Sequence, residues 1–198
     1  MNAIARLRDF AARRRTEERC GLCGAACEER HAHLVEAATA LVLCACPGCA
    51  AVFDHSSGPY RKVPDRVVRL DLGLTDADWS GLGLPIGLVF LRRHPALGTV
   101  QAFYPSPLGA VESAVSPEEW EALAVRSPEL RSMEAGVEAL LLRRTGGVRE
   151  AYIAPIDQCH ALIGLIRREW RGFSGGDGVV PAVERFFAEL RARDGGRS

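Results

Sequence analysis

The feature that most narrows what this chain can fold into is a pair of C-x-x-C turns near its N-terminus, Cys20-Gly21-Leu22-Cys23-Gly24 and Cys46-Pro47-Gly48-Cys49. Six of the seven cysteines lie between positions 20 and 49. Buried apolar packing does not crowd thiols in this way, whereas metal coordination requires it. Each turn directs two thiolates at one ion, and the segment 24–45 between them folds back to complete a tetrahedron. Cys20, Cys23, Cys46 and Cys49 are therefore the expected ligands. Gly24 relaxes the backbone after the first turn so that amide groups can face sulfur, while Ala50 follows the second turn, which is expected to be less regular. Pro47 removes one amide donor and fixes the backbone there.

Four further donors crowd the same region. In an extended segment the Cys44 thiol leaves the same face as Cys46, and Cys27 sits in the loop after the first turn, so ligand sets such as Cys20, Cys23, Cys44 and Cys49 stay open. Small buried thiols beside a site are the simpler reading of Cys27 and Cys44. His31 and His33 share a strand face, the arrangement a mixed Cys/His site or a second metal would use. Since four thiolates already satisfy one ion, exposed or core histidines are the default reading.

The chain has 198 residues, and its 47% hydrophobic content is enough for one sizeable core plus a small appendage. Lys+Arg and Asp+Glu both number 25, so no global field draws the protein to nucleic acid or an anionic bilayer. No apolar run reaches the length of about 18 residues that a membrane span needs. A cytoplasmic location is expected, where thiols stay reduced and clustered cysteines favour metal over disulfides.

Three segments follow from the patterning. Residues 1–19 form an amphipathic helix with Ile4, Leu7 and Phe10 or Ala11 on one side and arginines over the rest. Residues 20–55 form the Cys-rich ribbon, with strands at His31 to Glu36 and Thr39 to Ala45. The stretch His55-Ser56-Ser57-Gly58-Pro59 breaks the chain, and 60–198 form an α+β domain. Its strands are expected at Val67 to Leu70, Ile86 to Arg92, Thr99 to Tyr104, Val111 to Ala114, Val137 to Arg143 and Arg149 to Ile153. Alternating apolar and polar residues suggest one covered face. Gly146-Gly147 marks a hairpin. Ser116-Pro117-Glu118-Glu119 supplies an N-cap, a first-turn proline and a capping-box glutamate. Two C-terminal helices, one from about Asp157 to Trp170 and one capped by Asp177, pack on an antiparallel or mixed sheet.

Tetrathiolate geometry suits zinc and iron alike. Zinc makes the site a structural clip, and iron makes it a one-electron carrier. Cys-x-x-Cys-Gly and Cys-Pro-x-Cys resemble the two knuckles of rubredoxins, but the hairpin between them lacks the aromatic residues that pack beneath a rubredoxin centre, which favours zinc. Cys159 beside His160 is not a nucleophile and base pair, because helix neighbours point about 100° apart; it belongs to the core. Trp170 to Gly176 reads as a helix stop and loop rather than an anion site. No residue is assigned a catalytic role, and a non-catalytic role is preferred over a zinc-dependent hydrolase or nuclease using His31 or His33, which would need an open coordination position and a general base.

With the paired knuckles, Tyr60-Arg61-Lys62-Val63-Pro64-Asp65-Arg66, Tyr104-Pro105-Ser106-Pro107 and Gly164-Leu165-Ile166-Arg167-Arg168-Glu169-Trp170-Arg171-Gly172-Phe173-Ser174-Gly175-Gly176, the chain resembles an uncharacterised bacterial family often encoded beside nickel–iron uptake hydrogenases. The likeness runs from Cys20 to about Leu190. It implies an accessory role in hydrogenase assembly or electron transfer, with a hydrogenase subunit or maturation factor as protein partner. Two alternatives accompany it: a rubredoxin-like electron carrier to or from a hydrogenase, and a zinc-ribbon interaction module unrelated to hydrogenase.

Overall fold

The structure is a computed structural model that describes residues 18–53, 58–81, 87–106, 108–145, 147–171 and 178–194. All but two residues of the expected N-terminal helix, and the Asp177 cap, lie outside these residues. The chain divides into two compact units, one ending at Val63 and one beginning at Pro64.

The first unit is built on a three-stranded antiparallel sheet in the order β2-β1-β3, formed by β1 (Ala32–Glu36), β2 (Val42–Ala45) and β3 (Tyr60–Lys62). The β1–β2 hairpin pairs Ala32 with Ala45 and His33 with Cys44. Ala40 closes its turn with φ 60°, and its N–H donates to the Glu36 carbonyl. β3, too short to carry a period of its own, pairs on the other edge of β1 and lies beyond the turn-rich stretch at 55–59. Directly after β2 the chain turns into α1 (Pro47–Val52), whose proline occupies the first helical position, where its missing N–H costs nothing. Leu34, Ala45 and Ala50 form the core of this unit, joined by the half-buried Leu22, Phe53 and Tyr60. The Phe53 and Tyr60 rings meet edge to face, 5.1 Å between centroids. Both come from outside the β1–β2 hairpin.

The second unit carries a six-stranded sheet, antiparallel at every pairing, in the order β4-β9-β8-β5-β6-β7. Its strands are β4 (Val68–Leu70), β5 (Leu88–Arg93), β6 (Val100–Ser106), β7 (Gly109–Val115), β8 (Glu138–Thr145) and β9 (Val148–Pro155). The helices are α2 (Asp76–Gly81), α3 (Pro117–Ala124), α4 (Pro128–Arg131), α5 (Ile156–Glu169) and α6 (Val179–Asp194). For the central strands β5, β8 and β9 the expectation of one covered face is corrected here, whereas β6 alternates buried and half-buried residues over much of its length. Val89, Leu91, Leu140, Leu142 and Ile153 pack with Trp79, Leu123, Leu130 and Met133 on one side. Residues of opposite parity face the other helices: Phe90 lies near His160 of α5, and Tyr152 and Arg143 lie against Phe187 of α6. Central strands buried on both sides read as continuous apolar runs, as Leu88 to Leu91 and Ala139 to Leu142 do.

Local signals place the turns. Ser116 accepts a hydrogen bond from the Glu119 N–H while the Glu119 carboxylate accepts from the Ser116 N–H, closing the capping box of α3. Pro105 lies in β6 beyond the last residue paired with β5, so the ladder loses no donor there. Two buried carboxylates are matched by arginines, while the buried Arg92 guanidinium lies over the Phe103 ring. The Glu138 carboxylate is fully buried and takes Arg66 in a two-pronged pair plus the Glu134 N–H. Glu150 accepts from Arg143, Arg191 and the Tyr152 hydroxyl. Among the described residues no helix is long and apolar enough to cross a membrane.

Candidate metal centre

The first C-x-x-C turn is the tip of a miniature hairpin. Arg19 and Ala26 bridge antiparallel, the Cys20 N–H donates to the Ala25 carbonyl, and the Cys27 N–H donates to the Glu18 carbonyl. Gly24 makes the reversal with φ 75°, a conformation side chains with a Cβ resist, and its N–H donates to the Cys20 carbonyl. Gly21 does a different job. Its N–H donates to the Cys44 carbonyl at 2.8 Å, tying the first turn to β2. A Cβ at Gly21 would come within 3.1 Å of the Leu43 side chain, which would have to give way to admit it.

The second pair is displayed differently. Cys46 is the N-cap residue of α1, with extended backbone, and Cys49 lies one helical turn on, the Ala50 N–H closing that turn onto the Cys46 carbonyl. The helix start does for Cys46 and Cys49 what the Gly24 reversal does for the first pair. It aims two sulfurs the same way.

The four thiols converge: their sulfurs all lie within 4.8 Å of one another, and Cys23 Sγ is 3.6 Å from Cys46 Sγ. Cys20 is buried, Cys46 and Cys49 are half-buried, and Cys23 is exposed. The backbone N–H of Cys46, followed by those of Cys23 and Leu22, lowers the Cys20 thiol to about 6. Hydrogen bonds to the Cys20, Cys23 and Cys46 sulfurs push Cys49 up to about 12. The cluster thus favours negative charge at one sulfur and a proton at another, as crowding of like-charged groups requires. All seven cysteines are free thiols. Sulfurs this close, with amide groups turned toward one of them, fit a tetrahedral thiophilic ion such as zinc or iron, whose metal–sulfur bonds of about 2.3 Å draw such a group together.

Cys44 does not join this group. The alternation that would put it on the face of Cys46 ends at Ala45, where β2 gives way to α1, and its thiol lies instead with His31 and His33. Those three donor atoms are within 4.8 Å of one another. Cys27 stands near both groups: burial, and then the charge of Cys44, raises its thiol. Cys44 is raised by burial and then by the carboxylate of Glu18. Glu18 is the neighbour that periodicity hid, since it reads as the end of the N-terminal helix. The clue was its pairing distance from Cys27 across the first turn. Cys159, by contrast, is fully buried in α5, where desolvation raises its thiol far above the ordinary range.

Residues 19–194 match the model of a family of unknown function, DUF5947, a span that takes in the cysteine cluster and nearly all of the second unit. No curated protein and no solved structure matches the chain.

Proposed function

The chain belongs to the DUF5947 family of unknown function, and we propose that it is a non-catalytic metal-binding accessory protein in which Cys20, Cys23, Cys46 and Cys49 hold one ion. The convergence of these four sulfurs within 4.8 Å carries the reading. Zinc is the preferred ion. Of the four cysteines Cys20 is buried and Cys23 exposed, so an ion held there sits near a surface, where a redox-silent clip that shapes a docking face is the simplest use. The partner we propose is a subunit or maturation intermediate of a nickel–iron hydrogenase, a choice that rests on the sequence resemblance alone.

Protein purified anaerobically from medium supplying both metals tests the ion. The expected preparation is colourless and contains one zinc equivalent that is retained when His31 and His33 are replaced and lost from Cys23→Ser/Cys46→Ser. A preparation that contains iron and, on oxidation with ferricyanide, turns red with a high-spin ferric EPR signal would move the assignment to a one-electron carrier, the reading that the amide groups around the Cys20 sulfur favour. Metal content unchanged in the double cysteine variant would overturn the site. Co-purification with hydrogenase subunits tests the partner, and normal hydrogenase maturation and activity after deletion would remove it.

A further inference from the structure

A second set of donors lies in the same unit. His31 comes just before β1, His33 lies in β1, and Cys44 is the cross-strand partner of His33 in β2. The hairpin register therefore brings a nitrogen and a sulfur donor face to face, and His31 packs its ring at a tilt of 52° against His33, with 4.8 Å between centroids. The four-thiolate cluster uses none of these atoms.

The protonation of His31 is dictated by its neighbours. Its Nδ1 lies 2.7 Å from the Glu28 carbonyl oxygen, and a carbonyl only accepts, so Nδ1 carries the hydrogen and donates. In the neutral ring Nε2 then presents a lone pair. That atom is buried, makes no hydrogen bond, and lies 3.5 Å from the Glu18 carboxylate, while the His31 side chain is 3% exposed. A lone pair on a buried nitrogen facing a carboxylate is repulsive unless a cation stands between or beside them, even though the Glu18 side chain itself is 63% exposed. A ring nitrogen anchored to a backbone carbonyl, with the other nitrogen free to bond, is also how protein structure orients a histidine toward a metal.

We propose that His31, His33 and Cys44 form a second metal site, separate from the four-thiolate cluster, that takes a borderline divalent transition ion of the zinc type with Glu18 beside its fourth position. Two imidazoles and one thiolate make a mixed nitrogen and sulfur set, which suits zinc and cobalt and is unsuited to calcium or magnesium. The three donors now lie within 4.8 Å of one another. Ligands around a tetrahedral zinc sit roughly 3.5 Å apart, so side-chain rotations of about 1 Å close the site. With three protein donors the ion keeps a position for the Glu18 carboxylate or for water, unlike the closed four-sulfur site. It is accordingly the more exchangeable of the two.

Cobalt(II) substitution of the full chain tests this. The expected result is two equivalents of cobalt per chain, together with a hyperfine-shifted, exchangeable imidazole N–H resonance from the hydrogen that His31 keeps on Nδ1. In His31→Gln/His33→Gln, stoichiometry falls to one and that resonance vanishes, while the intense sulfur-to-cobalt absorption of the four-thiolate ion persists. Cys44→Ser keeps both histidines and weakens the second equivalent at least tenfold. Persistence of the four-thiolate absorption in each variant shows that the fold survives. One equivalent in the unaltered chain overturns the proposal. So does a second equivalent that is indifferent to all three substitutions, which would be an adventitious ion, or the absence of any shifted imidazole resonance, which would leave His31 as the cationic partner of Glu18.

Discussion

Stripping the four-thiolate ion should unfold the first unit and leave the second folded. Its apolar core is small: Leu34 and Val35 are its largest fully buried side chains, and Leu22, Phe53 and Tyr60 are only half-buried. Burying a leucine or valine contributes about 1.5–3 kcal/mol, so these two supply about 3–6 kcal/mol. A structural zinc ion supplies an apparent 10–16 kcal/mol or so at neutral pH, more than the two together and as much as the roughly 5–15 kcal/mol that holds a whole small domain. Hydrogen exchange read by mass spectrometry, before and after chelation with metal loss verified, resolves the two units. The amides of β1 and β2 should lose protection by orders of magnitude, while those of β5, β8 and β9, buried in a sheet covered on both faces, keep theirs. If β1 and β2 stay protected in demonstrably metal-free protein, the small core suffices and the ion is not a structural clip.

Other consequences concern the second unit. Arg66→Ala should cost about 3 kcal/mol in denaturant unfolding, because it strands the fully buried Glu138 carboxylate; a loss near zero would show that water reaches Glu138 in its place. Ser116→Ala should cost about 1 kcal/mol by opening the capping box, measured the same way, with no change expected in metal content. Hydrogen bonds from the Ser116 backbone hold the Glu119 carboxyl below its ordinary 4.5, so its stabilisation is complete above that value and is lost as pH falls through the lower folded-state value; Glu119→Gln should flatten the acid limb of the stability profile in that window and leave the slope near neutrality unaltered. Gly87→Ala should be destabilising by about 1–3 kcal/mol from its φ of 68° alone, with more from overlap of the new Cβ with the Arg144 carbonyl oxygen; a thermal midpoint like that of the unaltered chain would refute this.

The parts readable from sequence were those governed by a few adjacent residues. The capping box at Ser116 and Glu119, the β8–β9 hairpin at Gly147 and the C-terminal helices each depend on contacts within a turn or two. The C-x-x-C spacing belongs to the same class, since two thiols three residues apart reach one point whenever the chain turns between them. Short elements escaped. β3, α2 and α4 span only a few residues each, and their stability comes from the strand or core they lie on rather than from a pattern of their own.

What the chain determined by itself is therefore local: two aimed pairs of sulfurs, a hairpin between them, and a set of strands and helices rich enough in apolar residues to build a body. Tertiary structure alone decided which distant atoms meet. The order β4-β9-β8-β5-β6-β7 buries the central strands on both sides, so their one-face alternation is absent from the sequence. The register that sets His33 opposite Cys44, the carbonyl that holds His31 by its other nitrogen, and the approach of Glu18 from across the first turn join positions 18, 28, 31, 33 and 44, which share no period. Periodicity describes how one element presents its own side chains, whereas a binding site is made where several elements present theirs to each other.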